Sequence, residues 1–199
     1  MRRETVSYQA DGLSMRGELF FADADRPRPG VLVFPEAFGL SQHAIERAES
    51  LARLGFVALA CDLHGEARLI DALEPAIAAL QPLFADPEKT RARARGALDA
   101  LLARPEVDRA RVAAIGFCFG GTMALELARG GADTVATVGF HSGLGTKAPK
   151  DDAKAIKGRV LVCIGADDPM IDAAQRGAFE EEMRHGGVDW QLLLHGNAV

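Results

Sequence analysis

Cysteine is scarce in this 199-residue chain, with three in all, and histidine occurs five times. Cys61, Cys118 and Cys163 are odd in number and far apart, so no disulfide framework is expected. No close cysteine or histidine pair has zinc-site spacing, and no metal site is expected. No apolar run approaches the roughly 18 residues that a membrane span needs. None follows Met1-Arg2-Arg3-Glu4 either, so no signal peptide is expected. Basic blocks are lacking too. Arg91, Arg93 and Arg95 alternate with small residues on a predicted helix, which reads as a solvated face and not a nucleic-acid patch. Net charge is −5, with 48% hydrophobic and 26% charged residues, ordinary for a soluble globular chain. The expectation is one domain over residues 1–199, cytoplasmic, monomeric or homodimeric, acting on a small molecule and on neither nucleic acid nor membrane.

What is present is an alternation of strand-like and helix-like runs, the pattern of an α/β fold with a mostly parallel sheet and helices on both faces. Val6–Tyr8 and Leu13–Phe21 bracket Asp11-Gly12 and predict a hairpin. Val31-Leu32-Val33-Phe34 is a continuous apolar strand, and Phe56–Cys61 is the next. Between them a helix is predicted from Ser41 to Gly55, burying Ile45, Ala48, Leu51 and Leu54. Asp86-Pro87 opens another helix, reaching about Arg104. Further strands are predicted near Thr134–Phe140, Arg159–Ile164 and Trp190–Leu194, with a helix near Asp172–His185 and a polar surface loop over Thr146–Lys157. Cys61 and Cys163 fall in the strand-like runs, as inert core thiols.

One segment is far more specific. The apolar run Arg111–Ile115 leads into Gly116-Phe117-Cys118-Phe119-Gly120-Gly121, followed by the helix-like Thr122–Ala128. A strand turning sharply into a helix with a reactive side chain at the apex is the nucleophile elbow of α/β-hydrolases. Glycines two residues either side of the apex are required because a Cβ there would collide across the turn. At a helix N-terminus the dipole and free N–H groups favour thiolate over thiol. Working residues of such sheets sit at the carboxyl ends of strands. The strands here deliver Glu36-Ala37-Phe38-Gly39, Asp62-Leu63-His64-Gly65-Glu66, Cys118, His141-Ser142-Gly143 and Gly165-Ala166-Asp167-Asp168.

Through these motifs the chain resembles the dienelactone hydrolase family over nearly its whole length. The resemblance implies an α/β-hydrolase that cleaves carboxylic esters or lactones without a cofactor, through a Cys-His-Asp triad and an acyl-enzyme. Cys118 takes the place of the nucleophile and Asp168 that of the triad acid, with Asp167 as the alternative. The amides of Phe119 and Ala37 take the oxyanion hole. Glu36 takes the place of a glutamate that controls thiol ionisation, since a carboxylate beside a thiol raises its pKa. His64 and His141 are candidate pocket-lining residues. Residues 62–66 supply no arginine for a substrate carboxylate, and the alignment does not place Arg68 there, so a neutral ester or lactone is expected.

The general base is the conspicuous gap. The family's histidine falls immediately beyond Val199, and the closing C-terminal helix is not in the sequence either, so the expectation is a chain that continues past Val199. His195 stands five positions upstream, up to roughly 16 Å away along extended chain, against triad contacts of about 2.6–3.2 Å. His43 and His185 are expected at the surface. Without the base, acylation with stalled deacylation is expected. The alternatives are a non-catalytic binding protein on the same scaffold, or a thioesterase or phosphotriesterase using the same thiol.

Overall fold

Asp11 and Gly12 both adopt positive φ, 49° and 71°, and make the tight turn that joins β1 (Arg2–Ala10) to β2 (Leu13–Phe21). A computed structural model describes residues 1–198 of the chain. The other strands are β3 (Arg28–Phe34), β4 (Val57–Ala60), β5 (Val107–Phe117), β6 (Ala136–Phe140), β7 (Arg159–Gly165) and β8 (Trp190–His195). They form one eight-stranded sheet in the order β1-β2-β4-β3-β5-β6-β7-β8. Only β1 with β2 and β2 with β4 pair antiparallel; every later pair is parallel.

Val31–Phe34 is buried on both faces, as its unbroken apolar run implies. Val31 and Val33 meet Ala44, Ala48 and Ala52 of α1 (Gln42–Arg53) on one face. Leu32 and Phe34 meet α3 (Pro87–Leu102) and α4 (Phe119–Arg129) on the other, through Leu98, Leu101, Met123 and Leu127. The buried stripe of α1 differs from the expected one: Ile45 and Leu51 are half-buried and Leu54 is 76% exposed. Three alanines at i, i+4 and i+8 let the helix backbone lie close to the sheet, and that proximity outweighs burying the larger residues at the flank.

Two helices were not anticipated. α2 (Leu73–Ala85) carries Pro75 in its first turn and Pro82 inside it, so its sequence reads as punctuated. α5 (Pro149–Ala155) lies within the stretch expected to be a surface loop. It docks through charge: Asp152 is buried, bonded by Thr146 Oγ1, and paired with Arg91 at 2.8 Å. The arginines of α3 are correspondingly no solvated face. Arg91 also pairs with Glu126 at 2.8 Å, and Arg93 with Asp11 at 3.0 Å. α6 (Ala173–Gly186) is capped by Asp172, whose carboxylate accepts from Gln175 N–H, and ends at Gly187 with φ 65°.

Beneath these helices Arg129 is fully buried. It donates to Glu182 at 2.7 and 2.8 Å, to Glu126 at 3.0 Å and to the Leu144 carbonyl at 2.7 Å. Removing a partner from such a cluster strands charge in low dielectric, so Arg129→Ala is expected to cost about 3–5 kcal/mol. Thermal unfolding should register this as a fall in Tm of roughly 10 °C for a domain of this size.

Candidate active site at the carboxyl ends of the strands

Cys118 stands between the end of β5 and the start of α4 with φ 54° and ψ −122°, a conformation L-residues rarely adopt. Such strain costs of order 1–3 kcal/mol and persists only where surrounding structure imposes it. Here the Cys118 N–H donates to the Phe140 carbonyl at 2.8 Å, and the Cys118 carbonyl accepts from Gly121 N–H at 3.0 Å. The glycines play the part read from their spacing. A Cβ on Gly116 would come within 2.0 Å of the Gly120 carbonyl oxygen, and one on Gly120 within 2.3 Å of the Phe34 carbonyl oxygen.

The sulfur faces the backbone amides of Phe119 and Ala37, both of which favour the thiolate. Burial nevertheless dominates and pushes the Cys118 thiol above its ordinary pKa, with the charges of Glu36 and Asp168 adding to the rise. Cys61, wholly buried, is pushed up much further, and Cys163 is raised by desolvation alone. A single backbone amide, that of Val33, favours the Cys61 thiolate, and none acts on Cys163.

On the far side of the elbow, Asp168 is buried while Asp167 points to solvent. One Asp168 oxygen accepts from Met170 N–H at 2.9 Å; the other lies 2.5 Å from His141 Nδ1. His141, with φ 53°, is the residue after the β6 strand end that receives the Cys118 N–H. The structure therefore brings an imidazole onto Asp168 from a position expected only to line the pocket. His195 ends β8, with its carbonyl accepting from Ala166 N–H at 2.8 Å, and the Ala198 carbonyl accepts from Asp167 N–H at 3.0 Å. The tail is thus tied to the loop carrying Asp168. The place expected for the family's histidine, beyond Val199, lies outside the described residues.

Ala37 sits on the loop between β3 and α1, and that loop is held from two sides. His64, expected on the pocket rim, is instead buried beneath it, its Nε2–H donating to the Ala37 carbonyl at 2.8 Å. A carbonyl only accepts, so Nε2 carries the proton; burial holds this imidazole below its ordinary pKa. Asp62, also buried, accepts the N–H groups of His64 and Gly65 on one oxygen and those of Arg16 and Ala67 on the other, at 2.8–3.2 Å. From the α1 side His43 Nδ1 lies 2.5 Å from Glu36 Oε1, and Ser41 Oγ donates to Glu36 Oε2 at 3.4 Å. Ser41, expected as a helix cap, makes no side-chain cap bond.

His43, His64 and Asp62 escaped sequence reasoning as members of this framework. The only local signal was Gly39, whose φ of 97° turns the chain so that α1 returns over Glu36. Next to the elbow the exposed Phe84 meets the buried Phe119 edge-on at 5.1 Å, and Phe38 on the loop after β3 is exposed. Among the described residues no cluster of histidine, cysteine, aspartate and glutamate has the arrangement of a metal site, and no helix is long and apolar enough to cross a membrane.

The chain has close counterparts among known proteins. The model of the dienelactone hydrolase family matches residues 15–199. A probable 2-oxo-3-(5-oxofuran-2-ylidene)propanoate lactonase of a Bradyrhizobium species is 28% identical over 211 residues, spanning 100% of this chain and 85% of the relative. The solved structure of m3DLH is 52% identical with a TM-score of 0.95, covering 100% of this chain and 82% of its own. A dienelactone hydrolase-like promiscuous phosphotriesterase from metagenomic libraries is 50% identical, with the same TM-score and coverage.

Proposed function

The chain belongs to the dienelactone hydrolase family, and from that premise we propose that it hydrolyses neutral carboxylic esters or lactones through an acyl-enzyme on Cys118. The observation that carries this reading is the strained Cys118 backbone at the turn from β5 into α4, which sets the thiol at a helix N-terminus where the Phe119 and Ala37 amides favour its ionised form. In the reaction the thiolate attacks the ester carbonyl and a C–S bond forms. The oxygen that gains the charge is held by the Phe119 and Ala37 amides. Collapse expels the alkoxide, which takes a proton from the imidazolium of the base. Water then attacks the thioester, giving its proton to the imidazole, and the acid leaves as the thiol is restored.

Asp168 orients that imidazole and stabilises its charged form. Among the described residues the imidazole on Asp168 is that of His141, its Nδ1 2.5 Å from the carboxylate. A neutral substrate is favoured because Asp62 and His64 are spent on the loop, while Phe38 and Phe84 expose apolar surface. The name of the phosphotriesterase neighbour supports neutral phosphotriesters as a second class of electrophile.

The test is stopped-flow mixing with p-nitrophenyl acetate, followed by intact and peptide mass. A burst of p-nitrophenol matching the enzyme, with the acetyl group on the Cys118 peptide, is expected. An adduct on Cys61 or Cys163, or neither burst nor turnover, would overturn the assignment.

A further inference from the structure

Glu36, whose charge disfavours the Cys118 thiolate, is held by a residue outside the triad. Both oxygens of Glu36 are occupied away from the sulfur, one by His43 Nδ1 at 2.5 Å and one, weakly, by Ser41 Oγ at 3.4 Å. Glu36 immediately precedes Ala37, whose amide faces the sulfur. His43 in turn packs its ring edge-on against Phe117, the residue before Cys118, at 4.7 Å between centroids. The imidazole therefore bridges the two backbone segments that meet at the sulfur, the end of β5 and the loop after β3. We infer that His43 is a positioning residue, which clamps the Glu36 carboxylate off the thiol and, when doubly protonated, cancels its charge.

The physical reason is the arrangement of charge. A free Glu36 anion disfavours a thiolate beside it; paired with an imidazolium it presents a dipole of no net charge. The other charged group acting on the thiol is Asp168 from the loop after β7, bonded by His141 from the loop after β6. On α1 itself Glu46 is engaged by Gln42 at 3.1 Å, and Arg47 is exposed. None of these substitutes for the cation at Glu36. Reactivity of the thiol is thereby coupled to an exposed imidazole that touches neither the sulfur nor Asp168.

The inference rests on Cys118 being the nucleophile, and its test needs no turnover. Alkylation of Cys118 by iodoacetamide is followed by peptide mass from neutral to alkaline pH in the wild type, His43→Gln, Glu36→Gln and the double variant. His43→Gln should slow alkylation roughly threefold at neutral pH and move the profile to higher pH. Glu36→Gln should accelerate it by at least as much. In the double variant the His43 substitution should add nothing, because the charge it compensates is gone. A wild-type profile in His43→Gln, or an equal slowing in the Glu36→Gln background, would overturn the inference. Absent ester turnover with this cycle intact would sink the hydrolase reading alone; normal turnover with an unmoved profile would sink the role of His43 alone.

Discussion

Cys118→Ala should lower kcat/KM for p-nitrophenyl acetate by about ten-thousandfold or more, and no acetyl-enzyme should form. The oxyanion amides and the pocket remain, so a small residual rate over water is expected from binding and polarisation of the ester. The loss is large because no other thiol can serve. Cys61 is sealed in the sheet with its ionisation strongly suppressed, and Cys163 lies in the middle of β7 without amides facing it. Cys163→Ser should leave the rate close to wild type. Steady-state kinetics on the two variants, with intact mass after substrate exposure, separates a nucleophilic role from a structural one. Comparable losses in both variants would place the chemistry elsewhere.

Gly120→Ala is the second large effect, and it acts on folding and on the site together. The new Cβ would stand 2.3 Å from the Phe34 carbonyl oxygen and 2.4 Å from that of Pro35, both backbone atoms. Relief requires α4 and the end of β3 to separate. That motion also pulls the Phe119 amide away from the Ala37 amide, since one opens the helix and the other follows the strand. A cost above about 4 kcal/mol is expected, beyond ordinary overpacking because backbone and not a side chain must yield. Soluble yield and thermal unfolding should both fall, and any folded fraction should show little esterase activity. Gly177→Ala is the control. It sits in α6 with nothing within 4 Å of its Cβ, and should stabilise by up to about 1 kcal/mol. Equal behaviour of the two variants would show that the elbow tolerates a methyl group.

Periodicity and local steric rules were enough for most of the scaffold. The Asp11-Gly12 turn, the buried strand at Val31–Phe34, the Asp86-Pro87 helix start and the Gly187 helix end depend on backbone preferences and patterns a few residues long. The same holds for the elbow, where three glycines between a strand and a helix leave few alternatives. Elements held by charge over long sequence separations were illegible. α5 reads as a polar loop because its anchor, Asp152, finds Arg91 some sixty residues earlier. α2 reads as punctuated because of its prolines.

For the site, the sequence by itself determined which chemistry-bearing residues reach the strand ends: Cys118, Glu36, Ala37, His141 and Asp168. Parallel strands release their loops at one edge, and each of these residues directly follows an apolar strand-like run or sits a few residues past one. Only the tertiary structure decided how those residues are partnered. It buried Asp168 and exposed Asp167, set His141 on the Asp168 carboxylate, placed His64 under the Ala37 carbonyl, and brought His43 to Glu36. Each is a side-chain contact between loops that sequence position does not relate. Hydrogen-bond geometry acts over about 3 Å, whereas periodicity locates an element only to within a residue or two.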